Sequence, residues 1–508
     1  MYSQSFDPDD VSVVLQCYLE RANDVPVRSS SDRVRALLAA PSVLAALHRE
    51  LPLPTGADTA DILRNETYHS RLSEVVGERE RIGAGAPTLR LAPAALTRAE
   101  VKRVLPGETN LALLFAAETV LFQDTLHALA SDALAMWSAA GPRVNVLAVR
   151  LDWRTPDHRR AVRAMIVDGS GLVKEVAFGA PVPMHVAVTL HLPREAEQAL
   201  HARVSAECRA AGIPEINPHG ASLRADDKWA GYELWAGAPP SVHTPRSWLI
   251  PRCVDEPAVQ RVTREAFALG SPLYVQPRHG TEGRAVARFE RHQIGACTRH
   301  VLGAIFPGDD ALLREERGNV WLSRATPAGR DDPRRIALRI HVAWDGRRFL
   351  AESGFAQVAG DEEPDVASRG RGGSIVGIGE ALRSLWHHDG TGWRRVRVTA
   401  QDLADLRRAC EAAMAALNRG LRAGDCLRHA GLDVVLEVTD AGRLLPIILE
   451  ANPRPAGLNH SRWLPRAPAD DAPLGVTRAL FRPGYQSEYP PSITRSWPVV
   501  KLDASEAR

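Results

Sequence analysis

The sequence predicts an α/β protein built from several domains. With 508 residues, the chain is long enough for about three domains. Between residues 111 and 212, apolar strands such as 143–149 and 182–192 alternate with helical stretches, of which 194–212 is an example. Further along, alternating segments joined by turn residues predict β-hairpins, above all within 433–452. Strands that alternate with helices, together with hairpins, indicate mixed α/β domains.

Composition and charge exclude several classes of protein. Hydrophobic residues make up 45% of the chain, charged residues 24%, and the net charge is +2, which argues against general nucleic-acid or membrane-surface binding. No apolar run reaches about 18 residues, and residues 1–10 are acidic where a secretory signal would be basic. The six cysteines lack CxxC spacing, which predicts reduced thiols without a zinc site or disulfide framework. We therefore expect a soluble, cytoplasmic protein.

The most informative segment is the end of an apolar strand at residues 447–454. Successive strand side chains alternate between faces, so Glu450 and Asn452 point the same way. A carboxylate and an amide oxygen on one face suit a hard cation such as Mg²⁺ that carries nucleotide phosphates, and Arg454 adds positive charge nearby. The alternative is a strand that stops at Pro453 with solvated polar side chains.

The preceding strand supplies a second carboxylate. An apolar stretch that begins at Asp433, turn residues at 439–442 and a second apolar run predict a hairpin. If its turn is centred between residues 441 and 442, Asp433 lies opposite Glu450, about 5 Å away across the strands. Opposed carboxylates repel each other, and a shared divalent cation would compensate for that repulsion. Glu437 is the alternative ligand.

A hairpin that ends in Glu-x-Asn-Pro-Arg resembles the ATP-grasp superfamily, in its carboxylate-amine ligase branch, with a nucleotide domain similar to that of the D-alanine ligases. The resemblance implies an ATP-grasp fold, in which two α+β subdomains clasp ATP, preceded by an α/β pre-ATP-grasp domain and a mainly helical N-terminal region. It implies Asp433, Glu450 and Asn452 as ligands of Mg²⁺, with Mn²⁺ as a substitute. The loop against the second substrate would contain Gly457, Asn459 and Ser461.

Other segments resemble further parts of the same family in the expected order. Lys228 follows two aspartates at the entry to the nucleotide domain, where the family places a lysine ammonium on the nucleotide. It is one of only four lysines among 63 basic residues. The segment 273–286 resembles the flexible loop that closes over ATP, because its glycines let the backbone approach phosphates. The loop residues implied in nucleotide binding are Gln276, His279, Gly280, Thr281 and Gly283.

Gln276 departs from the family pattern, because a lysine usually stands before this loop. Arg278 or Arg284 would replace the missing charge; otherwise the chain is a weak or inactive nucleotide binder. A bare hairpin with a polar turn is the alternative interpretation of the loop itself.

The next segments resemble the hinge and the catalytic strand of the family. Either Glu315 or Glu316 would take the ribose hydroxyls, although a Glu-Glu step flanked by arginines also fits a solvated charge cluster. Arg339, on the alternating stretch 335–344, would hold the transferred phosphate and acyl oxygens together with Arg454 as the second catalytic arginine. The stretch 369–374 resembles a second cationic loop near the site, with a surface connection as the alternative.

The resemblance implies an ATP-dependent ligase that joins a carboxylate to an amine through an acyl phosphate and releases ADP and phosphate. Small-molecule carboxylates and amines, such as amino acids or small peptides, are the expected partners, and a homodimer is among the expected states. The alternatives are a kinase acting on a small-molecule hydroxyl and a non-catalytic ATP-binding regulatory protein. The expected divisions are an N-terminal region (1–105), a pre-ATP-grasp domain (106–222), a small subdomain (223–308), a C-terminal subdomain (309–465) and a tail (466–508).

Overall fold

The computed structural model describes part of the chain, and all structural statements below concern that part. The described ranges are 95–115, 144–167, 173–190, 195–238, 242–280, 285–325, 331–344, 348–361, 364–368, 373–422, 425–454 and 462–463. Residues 32–48, whose alanine- and leucine-rich sequence predicts a helix, lie outside these ranges, as do the linker-like stretch 83–87 and the tail from 466.

The first unit is a seven-stranded mixed sheet in the order β1-β5-β4-β3-β2-β6-β7. The central strands β2 and β3 are buried along their whole length and mostly apolar, as expected for strands covered on both faces. The strand predicted at 182–192 is split at Met184 and His185 into the end of β5 and the start of β6. The strands are β1 (Ala95–Leu96), β2 (Thr109–Phe115), β3 (Val144–Arg150), β4 (Arg160–Val167), β5 (Val173–Pro183), β6 (Val186–Thr189) and β7 (Glu215–Ile216).

Two helices belong to this unit: α1 (Arg98–Val104), which contacts β5, and α2 (Glu195–Ala211), which contacts β6 and β7. Thr97 caps α1 through a reciprocal pair of bonds with Glu100, which satisfies free backbone groups at the helix start. Because β1 pairs with β5, the first sheet begins before the predicted boundary at residue 105.

Two short helices connect the first unit to the rest of the chain. They are α3 (His219–Asp226) and α4 (Lys228–Ala236), and Asp227 between them caps α4 by accepting bonds from the amides of Trp229 and Ala230. Trp235 of α4 is buried in the core beneath the largest sheet and donates its indole N–H to the carbonyl of Ala413. Both helices therefore pack on the C-terminal part of the chain.

The second unit is a four-stranded antiparallel sheet in the order β10-β9-β11-β8. Its apolar face packs on α5 (Glu256–Phe267) and α6 (Ile294–His300). The sheet extends past the predicted boundary at residue 308, because β11 follows it. The strands are β8 (Ser247–Ile250), β9 (Leu273–Pro277), β10 (Ala287–Phe289) and β11 (Ala311–Glu315).

The third unit is a larger sheet in which strands run in the order β15-β14-β13-β12-β16-β17, with β18 paired to β13, β19 to β18, and β20 to β14. One face packs on α7 (Ile378–Arg383) and α8 (Ala400–Leu417). The strands are β12 (Val320–Ala325), β13 (Asp331–Trp344), β14 (Phe349–Val358), β15 (Ser374–Gly377), β16 (Leu385–His388), β17 (Trp393–Arg395), β18 (His429–Val438), β19 (Leu444–Asn452) and β20 (Arg462–Trp463).

The spacing of apolar residues predicts an amphipathic helix over 401–423. The structure has this helix as α8, which ends earlier, at Leu417. Its first turn is fixed by a capping box between Thr399 and Asp402. At its end, the side chain of Asn418 bonds to the carbonyls of Met414 and Leu427 and accepts from the Leu427 amide. Asn418 thereby replaces the helical bonds that would have continued the helix.

The structure confirms the predicted α/β class and the hairpin between β18 and β19. Asp433 pairs with Glu450, as expected. The assumed symmetry of the hairpin is wrong, because Val438 pairs with Leu444 and the register shifts by one residue next to Asp433. The five-residue turn is centred on Ala441, and a bulge at Leu449 restores the predicted pair.

No described helix is long and apolar enough to cross a membrane. Five of the six cysteines lie in the described ranges, and each of the five is a free thiol.

Candidate active site

Three charged side chains form a row across neighbouring strands of the large sheet. Arg339 of β13 pairs with Asp433 of β18, which pairs with Glu450 of β19. The Arg339 Nε and Nη2 atoms each donate to an oxygen of Asp433 at 2.7 Å. On β13 the side chains of Leu338 and Ile340 lie in the core on the opposite face. The charged row is therefore on the face turned away from α8.

Burial makes the carboxylate pair electrostatically expensive. It raises the pKa of Asp433 to about 6, against the lowering effect of Arg339, and the charge of Glu450 raises it further. Burial also acts to raise the pKa of Glu450, but Lys228 and Arg339, with a hydrogen bond from Asp433, hold it below its usual value. Positive charge placed beside the pair is therefore strongly favoured.

Lys228 brings an ammonium group to this row from the start of α4. Its Nζ lies 3.7 Å from Glu450 Oε2 and donates to the carbonyl of Gly280, at the end of the strand–loop segment after β9. The side chain is buried. Lys228 therefore connects the small sheet with the carboxylate pair of the large sheet.

Arg314 of β11 stabilises the backbone next to Glu450 and Lys228. Its guanidinium donates to the Leu449 carbonyl at 2.7 Å and to the Lys228 carbonyl at 3.3 Å. Leu449 is the bulge residue, so this bond holds the local geometry that places Glu450 opposite Asp433. Burial lowers the pKa of Arg314 to about 10, which leaves it protonated at neutral pH.

A network of ion pairs holds the segment after β9 in place. Arg278 makes two bonds to Asp227, at 2.8 and 2.6 Å, and one to Asp310 at 3.2 Å. His279 bonds to Asp309 through its backbone amide at 2.6 Å and its Nδ1 at 3.0 Å. The Arg278 guanidinium is thus bonded to two aspartates. Its predicted role, to supply the positive charge that the family's lysine would bring at position 276, stays a prediction.

The nucleotide-binding residues predicted in this segment are only partly described. Gln276 lies on β9 opposite Leu312, with a half-buried side chain. At Gly280, an added Cβ atom would lie 3.0 Å from side-chain atoms of Pro277, so the tight backbone path favours glycine. Thr281, Gly283 and Arg284 lie outside the described residues, and their roles stay predictions.

Both candidate ribose glutamates make ion pairs near the start of the large sheet. Glu316 accepts two bonds from Arg288, at 3.0 and 2.8 Å, and another from Arg335. Glu315 accepts from the Arg246 amide at 3.1 Å and from Arg317 at 3.2 Å. The hydrogen bonds to Glu315 are fewer and longer than those to Glu316. Which of the two glutamates binds ribose stays a prediction.

Glu437, the alternative metal ligand, lies four residues further along β18 opposite Leu445. Arg317 holds its carboxylate through two bonds of 2.6 Å. The structure thus places Asp433, and not Glu437, opposite Glu450.

Arg454 is placed differently from the phosphate-binding position that the sequence suggests. Its guanidinium is buried and makes two bonds to Asp226 at the end of α3, at 2.9 and 2.6 Å. This pair joins α3 to the residues after β19. A catalytic role for Arg454 stays a prediction.

Asn452 shares the face of Glu450 and lies opposite Gly431. Its Nδ2 atom is buried and has no hydrogen-bond partner within the described chain. With Asp433 and Glu450, its side-chain oxygen offers the oxygen ligands that Mg²⁺ or Mn²⁺ prefers. The described residues contain no cluster of three histidine, cysteine or acidic residues, so a cation here would draw on the amide of Asn452 and on substrate oxygens. Gly457, Asn459 and Ser461 lie outside the description.

Sequence reasoning missed several residues of this face. His341 and His429 lie on it, and Asn217 donates to the carbonyl of His429 in β18 and to that of Pro453, just after β19. Alternation along β13 shows that Arg339 and His341 share a face. The pairing of β13 with β18 brings Arg339 and His341 close to Asp433. The two strands are about a hundred residues apart in the chain, so no local sequence pattern indicates that they pair.

Comparisons with known proteins give matches only among solved structures. No protein-family model matches the chain, and no curated protein matches it. The structure is similar to D-alanyl-alanine synthetase A from Vibrio cholerae O1 (11% identity, 78% of this chain and 99% of that one, TM-score 0.41). It is also similar to the D-cycloserine synthetase DcsG (15%, 74% and 99%, TM-score 0.39) and to the VanG D-Ala:D-Ser ligase from Enterococcus faecalis (12%, 78% and 98%, TM-score 0.40).

Proposed function

We propose that the chain is an ATP-dependent carboxylate-amine ligase. The observation that carries this proposal is the row Arg339–Asp433–Glu450 with Lys228 beside it. A buried and a half-buried carboxylate that face cationic side chains are suited to bind a metal–nucleotide complex, because the charges needed to hold phosphates are already arranged.

In the proposed reaction, a substrate carboxylate oxygen attacks the γ-phosphorus of ATP, and ADP leaves. The resulting acyl phosphate is attacked by an amine: the C–N bond forms, the C–O bond to phosphate breaks, and phosphate departs with the electron pair and one amine proton. No side chain forms a covalent bond, so the chain contributes positioning and charge neutralisation.

Each residue of the row has a distinct part in this scheme. Asp433, Glu450 and Asn452 would hold Mg²⁺ or Mn²⁺, which neutralises phosphate charge when bound. Lys228 places its ammonium at the junction of the two sheets, where the phosphates would lie. Arg339 would orient the transferred phosphate and acyl oxygens, since its planar guanidinium suits paired oxygens.

The test is incubation of the chain with ATP, Mg²⁺ and pools of L- and D-amino acids and small peptides, with ADP and phosphate measured separately. A ligase releases both products only when a carboxylate and an amine are present. ADP without phosphate would indicate a kinase instead. ATP binding without turnover in any pool would indicate a regulatory nucleotide-binding protein, for which the uncharged Gln276 is the motivating feature.

Replacement of one carboxylate tests the assignment of the row. We expect Glu450→Gln to reduce turnover at least a hundredfold, because it removes a metal ligand and a charge while keeping the shape. Glu437→Gln is the matched control, since Glu437 lies on the same hairpin but is bonded to Arg317. The control is expected to keep turnover within a few-fold of the unsubstituted chain. Unchanged turnover in Glu450→Gln, with unchanged circular dichroism, would contradict the assignment.

A further inference from the structure

A second row of residues lies beside the charged row on the same face of the large sheet. His341 of β13 pairs with Gly431 of β18, which pairs with Asn452 of β19. Each of the three is two residues from a member of the charged row, on the side toward the first unit. Ala343, two residues further along β13, packs in the core of the first sheet. This second row therefore lies between the charged row and the first unit.

Three side-chain nitrogens of this row are buried without a hydrogen-bond partner in the described residues. His341 is fully buried, and neither of its ring nitrogens is hydrogen-bonded within the described chain; the same holds for Asn452 Nδ2. A buried polar group without a partner costs about 1–3 kcal/mol. Such groups are rare in folded proteins and call for an explanation, of which a bound ligand is one. Two of them on one row beside the charged row point to the same ligand.

Gly431 brings His341 close to the charged row. A Cβ atom at Gly431 would lie 3.1 Å from Cγ and Cδ of Arg339 and 3.6 Å from Cε1 of His341. The two side chains therefore converge over the glycine. Both also contact Phe355, with the Arg339 guanidinium carbon 5.8 Å and the His341 ring 6.1 Å from its ring centre. The imidazole is thus fixed next to the guanidinium that would orient the acyl phosphate.

The environment keeps this imidazole neutral. Burial, His429 and Arg339 all lower the pKa of His341 well below the usual value for histidine. A neutral imidazole offers one N–H donor and one acceptor nitrogen, and the amide nitrogen of Asn452 offers donors alone. An acceptor suits the N–H of an amine, while donors suit a carboxylate or carbonyl oxygen. An α-amino acid, or a peptide with a free α-amine, carries both groups.

We propose that His341 and Asn452 bind the amine substrate of the reaction, through an N–H and an oxygen of the same molecule. His341 accepts a hydrogen bond from the nucleophilic amine, and Asn452 Nδ2 donates to an oxygen of the same molecule. His341 acts through hydrogen bonding and orients the amine beside Arg339. This inference rests on the proposed ligase function and identifies the residues that bind its amine substrate.

The test separates the two halves of the reaction. Hydroxylamine at high concentration traps an acyl phosphate as a hydroxamate without needing the groups that recognise an amino acid. We therefore compare hydroxamate formation with amide formation, using the amino-acid pool that supports turnover. In His341→Asn and His341→Leu, we expect hydroxamate formation within about twofold of the unsubstituted chain. The KM for the amine is expected to rise about tenfold or more, the effect of about 1.4 kcal/mol of lost hydrogen bonding.

Two comparisons make the result specific. His292→Asn, at an exposed histidine near the start of α6, is the matched control and is expected to change neither rate. An unchanged KM for the amine in both His341 variants, or an equal loss of hydroxamate and amide, would overturn the inference. Absence of hydroxamate from the unsubstituted chain would contradict the proposed ligase function itself.

A measurement on the unsubstituted chain covers the case in which both variants fail to fold. At pH about 5.5, ordinary histidines are mostly protonated, whereas His341 and His429 stay neutral and give distinct ¹⁵N signals. Addition of the amino-acid pool with a non-hydrolysable ATP analogue is expected to shift the neutral signal of His341, and His429→Gln identifies which of the two neutral signals that is. Binding of the pool with no such shift would overturn the inference.

Discussion

We expect replacement of Asn217 to lower both the stability of the fold and turnover strongly, although its side chain is small. It follows β7, is buried, and joins the first unit to the start of β18 and to the residue just after β19. Its Nδ2 donates to the carbonyls of Pro453 at 2.5 Å and His429 at 2.7 Å, and its Oδ1 accepts from the Arg428 amide at 2.7 Å. It also has a φ of 54°, in the left-handed region that asparagine tolerates better than alanine.

The cost of Asn217→Ala follows from these contacts. Three buried backbone groups lose their partners, at about 1 kcal/mol or more each, and alanine adds about 1 kcal/mol for the left-handed backbone. We expect the free energy of unfolding to fall by about 4 kcal/mol. Asn217→Gly removes the same bonds but adopts a positive φ without strain, so its loss is expected to be about 1 kcal/mol smaller.

The assay combines urea unfolding, followed by tryptophan fluorescence, with the turnover measurement. Asn418→Ala is the matched control, because this side chain also makes three bonds to backbone groups, at the end of α8 and without a positive φ. We expect both Asn217 variants to lose turnover at least tenfold, since Asn217 holds the start of β18 against the residue after Asn452. The control is expected to lose stability with little change in turnover.

Two results would refute this reasoning. One is an unfolding free energy of Asn217→Ala within 1 kcal/mol of that of the unsubstituted chain. The other is an equal loss of turnover in Asn217→Ala and Asn418→Ala, which would mean that the effect on turnover comes from general destabilisation.

Two further predictions concern buried charges. Burial lowers the pKa of His429 to about 4, against about 6.5 unfolded, so the unfolded state binds the extra proton as the pH falls through this window. The free energy of unfolding should therefore fall by about 2 kcal/mol from pH 7 to pH 5. Urea unfolding at both pH values should show that His429→Gln lacks this decrease. An equal decrease in His429→Gln and in the unsubstituted chain would contradict the prediction. Arg454→Met should cost about 3–5 kcal/mol, because it leaves the buried Asp226 carboxylate without the guanidinium that balances its charge, and adding Asp226→Leu should recover most of that loss. A double variant that regained turnover as well as stability would contradict a phosphate-binding role for Arg454.

The parts of the site predicted from sequence are those that depend on short-range pattern. The opposition of Asp433 and Glu450 follows from the strand period and one turn, and the structure has that pair. The bulge at Leu449 could not be predicted, because the side chain that holds it, Arg314, lies 135 residues away. The correct pair was thus obtained from a symmetric hairpin that the structure does not have.

Arginine contacts show the same limit more sharply. The chain has 63 lysine and arginine residues, and only four of them are lysines, so the sequence offers many candidates for every cationic role. Arg454 stands two residues after Asn452, which suggested a role at phosphates, yet its partner is Asp226, 228 residues away. The sequence motif identified the segment that contains Arg454. The position of its guanidinium depends on a tertiary contact with Asp226, which the motif does not show.

The charges around the carboxylate pair differ in how firmly they are held. Lys228, Arg314 and Arg339 face Asp433 and Glu450, which leaves an excess of positive charge where anionic phosphates would bind. Arg314 is held by two backbone carbonyls and Lys228 by one. The Arg339 guanidinium, in contrast, has Asp433 as its hydrogen-bond partner within the described chain. A cation that binds Asp433 would therefore release Arg339 toward substrate oxygens without breaking any bond to the backbone, and so metal binding and the orienting role of Arg339 would be coupled through one carboxylate.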